Sequence, residues 1–436
     1  MDMSRVVGAD RLTIALFEKG TPMRTPIPDY LTEILDSLRS GDGGAVADYI
    51  PSLKTADAEL FAVAITTVDG RSYTAGDCDV EFSIQSMSKP FAYAAALADR
   101  GEDIVADHVG VDPSGEAFNE LSLETGSHRP RNPMINAGAI TAHSLLVGPG
   151  ASIEERVERA LGFFSQLAGR RLSIDESIRE SELATADRNL SIAHMLRSYG
   201  IIDDDPHDVV AGYTAQCSIT VTVRDIAMMA ATLAAGGVHP VSGQRIIDRH
   251  ASRRTLSVMA AAGMYDAAGS WFNDVGIPAK SGVAGGLLGA LPGQVGIGSF
   301  SPRLDDHGNS VRGVKVFRRL SADMGLHLME TEAFGSRALR GVRDDGDLTI
   351  VELQGVVNFV GAEGLLDSLD SHQPSTATVI FDTSRVDDFT DVGRRMALEG
   401  MRRLVLDGHS VGLIDPGRKL PEPDLGDGTR PFDATE

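Results

Sequence analysis

The pattern of apolar positions along this chain of 436 residues predicts strands at both ends of a long helical region. Residues 60–67 form an apolar, β-favouring run, and the Asp-Gly pair at 69–70 is typical of a tight hairpin. Residues 91–98 are alanine-rich and mostly apolar, so the helix that contains them should be buried. Residues 279–300 are extended and glycine-rich, which indicates more strands. We therefore expect an antiparallel sheet made from both ends of this region, with helices between them.

The pattern changes after residue 328. Residues 330–345 are charged and unpatterned, and a shorter alternation of strands and helices follows them up to residue 414. The fold class is therefore α/β and multidomain. The predicted parts are an N-terminal extension (1–24), a large domain (25–330), a linker (331–345), a small α/β domain (346–416) and a mobile tail (417–436).

Charge and hydropathy exclude several classes of protein. The net charge of −22 repels nucleic-acid phosphates and anionic membrane surfaces, so we expect no nucleic-acid partner and no membrane partner. The sequence has no apolar run of the length that a signal peptide or a membrane span needs. These features predict a cytoplasmic protein.

The cysteines and histidines do not form a metal-binding pattern. Cys78 and Cys217 are far apart in sequence, which excludes a disulfide framework and a cysteine-rich zinc site. We expect both to be buried, reduced thiols. The 11 histidines include no tight ligand cluster, and we predict no metal and no cofactor.

The segment at residues 82–89, Phe-Ser-Ile-Gln-Ser-Met-Ser-Lys, contains a Ser-x-x-Lys pair at the predicted start of the buried helix. Residues three apart share a face of a helix, so the amine of Lys89 can reach the hydroxyl of Ser86. To act as a base near neutral pH, Lys89 needs a pKa about 3 units below the usual value, and burial can supply that change. The pattern alone is weak, because many surface helices contain it. If Lys89 is exposed, it is an ordinary surface charge and the hypothesis fails.

Several other segments occur with this pair in a recognisable order. They are Tyr-Ile-Pro at 49–51, Asn-Pro-Met-Ile-Asn-Ala-Gly-Ala-Ile at 132–140, residues 213–218, Gly-Met-Tyr-Asp at 263–266 and residues 279–286. Over roughly residues 25–330 the chain resembles the serine-dependent glutaminase family. The resemblance implies the fold of serine β-lactamases and penicillin-binding proteins, with an antiparallel sheet and a helical subdomain. It also implies hydrolysis of L-glutamine to L-glutamate and ammonia, and a homo-oligomer.

The resemblance assigns catalytic roles to particular residues. Ser86 matches the nucleophile, Lys89 its base, Tyr265 the proton shuttle toward the departing ammonia, Tyr49 a second tyrosine near the serine, and the backbone N–H groups of Ser86 and Val283 the oxyanion hole. The Lys-Ser-Gly segment at 280–282 stands where lactam enzymes have Lys-Thr-Gly. Without the resemblance, either tyrosine would be read as an ordinary buried core residue.

The same resemblance implies substrate contacts. Besides Ser86, Tyr265 and Val283, the matching residues are Asn136, Glu182, Asn189 and Tyr213. A carboxylate such as Glu182 pairs naturally with an ammonium group, whereas asparagine and tyrosine donate to a carboxylate or an amide. Taken alone, Glu182 would be a charge on a surface helix.

Two alternatives remain open. The first is a β-lactamase or amidase of the same fold, although the Ser-Asp-Asn motif usual in those enzymes is absent. The second is a non-catalytic regulator, because residues 346–416 resemble the STAS domain of anti-sigma-factor antagonists. Asp391 stands where that family has a phosphorylatable serine, and a helix cap is its simpler role. A complete set of catalytic residues favours an active enzyme with the STAS-like domain as an interaction or oligomerisation module.

Overall fold

The computed structural model describes residues 27–40, 43–47, 50–115, 120–329, 338–357, 359–371, 374–426 and 428–435. The chain has a mixed α/β architecture and divides into two compact units, residues 1–330 and 331–436. The N-terminal extension predicted at residues 1–24 lies outside the described residues.

The strands of the first unit form a large and a small antiparallel sheet. They are β1 (Ala62–Thr67), β2 (Ser72–Gly76), β3 (Phe82–Ser83), β4 (Ser173–Ile174), β5 (Ile219–Val221), β6 (Ala279–Gly282), β7 (Gly286–Leu291) and β8 (Val295–Phe300). Within the described residues, the large sheet has the order β2-β1-β8-β7-β6 and the small one β3-β5-β4. Ala64 of β1 lies opposite Thr74 of β2 on one side and Gly298 of β8 on the other. Strands from both ends of the region therefore meet in one sheet, as the sequence predicts.

Helices fill the chain between and around these strands. They are α1 (Ile27–Leu38), α2 (Ser88–Arg100), α3 (Glu102–His108), α4 (Asn136–Ser144), α5 (Ile153–Ala168), α6 (Glu176–Leu183), α7 (Asp187–Ser198), α8 (Pro206–Cys217), α9 (Val223–Ala234), α10 (Arg249–Ala262), α11 (Ala268–Asp274) and α12 (Val311–Met324). Residues 88–97 of α2 are all buried, which confirms the expectation for this helix. In the described part of the chain, no helix combines the length and apolar character needed to cross a membrane.

The large sheet is covered by helices on both faces. Ala62 and Ala64 of β1 pack into a core with α2 and α9, whereas Val63 and Ile65 pack into another with α1 and α12. A strand buried on both faces needs no polar face, which explains why residues 60–67 are apolar without alternation. Helix α9 approaches β8 so closely that a Cβ atom at Gly296 would lie 2.0 Å from the backbone nitrogen of Ala231.

The second unit is a mixed sheet with helices in its crossover connections. Its elements are β9 (Leu339–Asp345), β10 (Leu348–Val357), α13 (Phe359–Ser371), β11 (Thr378–Phe389), α14 (Asp391–Leu406), β12 (Ser410–Ile414) and β13 (Phe432–Asp433). The strand order is β13-β12-β11-β10-β9 within the described residues. Strands β10 to β13 pair in parallel, and β9 pairs antiparallel to β10.

Three features of this unit differ from the sequence-based expectations. Part of the predicted linker is the strand β9, whose charged, mostly exposed residues are typical of a sheet edge and hide the strand pattern. The predicted mobile tail is packed, because Leu420 and Leu425 are buried and β13 pairs with β12. The cap of α14 is Thr390, whose hydroxyl accepts a hydrogen bond from the Gly393 N–H at 3.1 Å; Asp391 is the first helical residue and is exposed.

Candidate active site

Ser86 lies in a 3₁₀ turn, Gln85–Met87, directly before α2 rather than within it. The turn is held to the small sheet by the Ile84 N–H, which donates to the Ile219 carbonyl at 2.8 Å. Gln85 has a φ of 51°, in the left-handed region that costs a non-glycine residue about 1–3 kcal/mol. The strained residue therefore immediately precedes Ser86, which is partly buried and lines a cavity.

Lys89 lies in the first turn of α2 and is fully buried. Its Nζ atom donates hydrogen bonds to Asn136 Oδ1 at 2.7 Å and to the Met134 carbonyl at 3.2 Å. Within the described residues it has no hydrogen bond to Ser86, a contact that in many enzymes forms only with substrate. Burial lowers the pKa of Lys89 to about 7, with a small opposing effect of Cys217. The burial that a lysine base requires is therefore present.

Tyr265 lies close to Lys89 and to a second buried lysine, Lys280. Lys280 Nζ donates to the Tyr265 hydroxyl at 2.6 Å and to the Ser281 carbonyl at 2.8 Å. The two Nζ atoms are 5.6 Å (Lys89) and 3.9 Å (Lys280) from the centroid of the tyrosine ring. Burial, and then repulsion from Lys89, holds the pKa of Lys280 well below its usual range. This arrangement favours the neutral form of both amines near the phenol.

A cavity of about 270 Å³ lies beside the turn that contains Ser86. The predicted residues on its wall are Ser86, Asn136, Glu182, Asn189, Tyr213 and Val283. These residues come from the 3₁₀ turn, α4, α6, α7, α8 and the segment after β6. The fold therefore brings together the serine and five of the predicted substrate contacts, which are spread over nearly 200 residues of sequence. Among the described residues, Tyr265 is a predicted contact that does not line this cavity.

Two amide side chains connect Lys89 to the cavity wall. Asn136 Oδ1 accepts the bond from Lys89, and Asn136 Nδ2 donates to Asn189 Oδ1 at 3.0 Å. Because each amide oxygen accepts a hydrogen bond, this chain fixes the orientation of both side chains.

Glu182, at the end of α6, is partly buried on the cavity wall. Its Oε1 atom accepts a hydrogen bond from Gln85 Nε2, which also donates to Ser83 Oγ at 3.0 Å. Burial raises the pKa of Glu182 to about 7, and the bond from Gln85 opposes that rise. The surface position that the local sequence suggests is therefore wrong, because the end of α6 packs against α8.

Tyr213 and Cys217 lie one turn apart on α8 and are both buried on the cavity wall. Burial raises the pKa of Tyr213 well above its usual range and that of Cys217 to about 12. Both groups therefore keep their protons near neutral pH. Both cysteines of the chain are free and buried, as the sequence predicts, but the place of Cys217 in the cavity was not foreseen.

Of the two remaining predicted residues, the structure describes Val283 and not Tyr49. Val283 follows β6 and lines the cavity. Tyr49 lies outside the described residues, although its neighbour Ile50 lines the cavity.

A buried hydrogen-bond chain behind the site is missed by sequence reasoning. His143 Nδ1 lies 2.9 Å from Gln216 Oε1, and Gln216 Nε2 donates to Ser88 Oγ at 3.0 Å. The three side chains are at most 1% exposed, and burial lowers the pKa of His143 to about 4. They join α4, α8 and α2, the helices that carry Asn136, Tyr213 and Lys89. The available signal is the spacing of His143 seven residues after Asn136, which places both on one helix face.

The chain is similar to glutaminases in sequence and in structure. The glutaminase family profile matches residues 44–329. A glutaminase of Corynebacterium glutamicum is 56% identical over 404 residues, which cover 93% of this chain and 98% of the relative. The crystal structure of Mglu has a TM-score of 0.86 at 57% identity and matches 91% of this chain and 100% of Mglu. A structure of a probable glutaminase, ybaS, has a TM-score of 0.66 at 39% identity and matches 70% of this chain and 99% of ybaS.

These matches, together with the fold and the polar cavity, define the protein as an amidohydrolase. The chain belongs to the glutaminase family.

Proposed function

We propose that this glutaminase hydrolyses L-glutamine to L-glutamate and ammonia through an acyl-enzyme on Ser86. The observation that carries the proposal is the fully buried Lys89, in the helical turn that follows the cavity-lining Ser86, with its pKa lowered to about 7. The related protein Mglu has been solved in its glutamate form, which supports an amino-acid ligand for this cavity.

In the first step, neutral Lys89 takes the hydroxyl proton of Ser86 as Oγ bonds to the amide carbon of glutamine. The carbonyl oxygen becomes an oxyanion, and the backbone N–H groups of Ser86 and Val283 donate to it. A base with a pKa near 7 suits this step, because a large fraction of it is unprotonated at neutral pH.

In the second step, the carbon–nitrogen bond breaks and the Tyr265 hydroxyl gives its proton to the leaving nitrogen, which departs as ammonia. The proton that Lys89 took from Ser86 then returns to Tyr265, whose oxygen is held by Lys280. A water molecule next attacks the ester while Lys89 takes its proton, and that proton passes back to Ser86 as glutamate leaves.

The cavity wall also provides groups that separate glutamine from other amides. We assign Glu182 to the α-ammonium group of the substrate, because it is the carboxylate among the described wall residues. Asn136, Asn189 and Tyr213 are assigned to the α-carboxylate and the side-chain amide, for which amide and phenol groups are suitable donors. Tyr49 is retained as a second tyrosine near Ser86.

The direct test measures ammonia release from glutamine and asparagine, and the colour change on ring opening of a chromogenic lactam, for the purified wild-type protein and for Ser86→Ala. We expect turnover of glutamine by the wild type and none above background by the variant. Faster hydrolysis of the lactam would favour the β-lactamase alternative, and glutamine turnover that survives Ser86→Ala would overturn the nucleophile assignment.

We further propose that the second unit is a STAS-like module through which copies of this cytoplasmic enzyme assemble. Its parallel β10-α13-β11-α14-β12 order supports the STAS resemblance. The match to ybaS supports a role outside the chemistry. It covers 99% of ybaS but only 70% of this chain.

Truncation after residue 330, with activity and molecular mass in solution as the two readouts, tests this assignment. We expect glutamine hydrolysis to persist and the assembly to become smaller. An unchanged assembly size would contradict the proposed role in oligomerisation.

A further inference from the structure

Gln85 connects two parts of the site that the sequence treats separately. It immediately precedes Ser86 in the 3₁₀ turn, is 4% exposed and lines the cavity. Its side chain extends to the carboxylate of Glu182, which lies 97 residues later in sequence. One residue therefore joins the nucleophile turn to the group assigned to the substrate ammonium.

The orientation of the Gln85 side chain follows from its partners. A carboxylate can only accept hydrogen bonds, so the amide nitrogen and not the amide oxygen must face Glu182. The same nitrogen donates its second hydrogen to Ser83 Oγ at 3.0 Å. The side chain is thus held at two points. If the amide were flipped, its oxygen would face Glu182 and the bond to the carboxylate would be lost.

The backbone of Gln85 is held in a conformation that most side chains avoid. Its φ of 51° persists only where the surroundings impose it. A Cβ atom at Gly282 would lie only 3.3 Å from Gln85 Cβ, so strand β6 approaches Gln85 closely. Gln85 therefore bonds to Glu182 of α6 and lies close to strand β6, whose next residue is Val283.

We propose that Gln85 is a positioning residue that couples recognition of the substrate α-ammonium group at Glu182 to the placement of Ser86. The inference rests on the glutamine hydrolysis proposed above. When Gln85 donates to Glu182, it favours the ionised carboxylate that an ammonium group needs and holds the residue before the nucleophile in its strained conformation.

The charged and titratable groups around Glu182 are few in the described structure. Tyr213 and Cys217 face it from α8, and burial keeps both protonated near neutral pH. Arg188 of α7 lines the same cavity and is paired with Glu120 at 2.9 Å. Lys89 titrates in the same range as Glu182, so the test must separate these two groups.

The experiment compares the pH dependence of kcat/KM for glutamine in the wild type, Gln85→Met and Ser83→Ala. Methionine keeps the length of the side chain and loses the donor, whereas Ser83→Ala removes the other partner of the amide and leaves the bond to Glu182. The reference ligand is glutaramate, which is glutamine without the α-amino group, measured through its inhibition constant against glutamine. Its binding reports the rest of the site without the ammonium contact.

In Gln85→Met we expect the acidic limb of kcat/KM for glutamine to move up by about one pH unit, which is about a tenfold loss on that limb and a smaller loss above it. The inhibition constant of glutaramate should change less than about twofold, because no ammonium is involved. Ser83→Ala should leave the limb in place.

An unshifted acidic limb in Gln85→Met would overturn the inference. Equal losses for glutamine and glutaramate would also overturn it, because they would show a general disturbance of the fold. Failure of the proposed function is distinguishable from both outcomes, since it appears as a wild-type protein that does not hydrolyse glutamine.

Discussion

Two regions of the active site respond differently to burial. In the lysine region, formed by Lys89, Tyr265 and Lys280, burial lowers the pKa of both amines, and none of the described residues gives either amine a carboxylate partner. In the recognition region, formed by Gln85 and Glu182, burial raises the pKa of the carboxyl group, but the Gln85 amide opposes the rise.

The two regions differ in the partners of the buried groups as well as in the extent of burial. Removal from water favours the neutral form of any ionisable group. For a lysine that must act as a base, this neutral form is the useful one, and uncharged partners such as the Asn136 amide and the Met134 carbonyl leave it available. For a carboxylate that must bind an ammonium, the neutral form is useless, so a hydrogen-bond donor is needed to retain the charge.

Replacement of the proposed base should give the largest loss of activity and so tests the lysine region first. Lys89→Met removes the group proposed to take the Ser86 proton, and we expect kcat/KM for glutamine to fall by about 1,000-fold. Ammonia release measures this loss. Lys54→Met, at an exposed lysine, is the matched control and should leave activity unchanged. A Lys89→Met protein within tenfold of the wild type would remove the lysine region from the chemistry.

Replacement of Tyr265 by Phe tests the role of the phenol in the lysine region. An amide nitrogen must be protonated to leave, whereas an alkoxide leaves far more readily. We therefore expect kcat/KM to fall by about 100-fold for glutamine and by much less for the γ-methyl ester of glutamate. Equal losses for the amide and the ester would contradict a role of Tyr265 in protonating the leaving group.

The recognition region is tested by Glu182→Gln, which keeps the shape of the side chain and removes its charge. Loss of a hydrogen bond to a charged group should raise KM for glutamine by about 10- to 100-fold, with a smaller change in kcat. Glu180→Gln, at an exposed position of the same helix, is the control. If kcat falls and KM does not change, Glu182 belongs with the chemistry and the division between the two regions fails.

The last expected effect is on stability and not on activity. Lys89 titrates near 7 in the folded protein and near 10.4 when unfolded, so the unfolded state binds more protons between these values and wild-type stability rises with pH there. Relative to Lys89→Met, the free energy of unfolding of the wild type should therefore increase by on the order of 4 kcal/mol between about pH 7 and pH 10. Urea unfolding at both pH values measures the difference. Parallel pH profiles for the two proteins would mean that Lys89 is not held neutral.

Much of the fold follows from local sequence. The Asp-Gly hairpin, the buried alanine-rich helix and the glycine-rich strands are short-range patterns, and they define the large sheet and α2. The two ends of the second unit were harder to predict. Strand β9 has the charged residues of a sheet edge, and the tail is anchored by Leu420 and Leu425 within a segment of polar composition.

In the candidate site, too, local patterns could be predicted from the sequence and tertiary contacts could not. The Ser-x-x-Lys spacing and the resemblance to glutaminases pointed to residues that the fold gathers around one cavity. The features that escaped depend on tertiary contacts, such as the bond from Gln216 to Ser88, which are 128 residues apart. The strain at Gln85 and the enclosure of Glu182 also arise only when α6, α8 and the nucleophile turn pack together.

The central claim is that glutamine is hydrolysed through a glutamyl ester of Ser86. The most direct measurement is the partition of products in the presence of hydroxylamine, which intercepts an acyl-enzyme in competition with water. If glutamine and the γ-methyl ester of glutamate form the same intermediate, both must give the same ratio of γ-glutamyl hydroxamate to glutamate. We predict equal ratios for the wild-type enzyme. Different ratios for the two substrates, or no hydroxamate from either, would contradict the account.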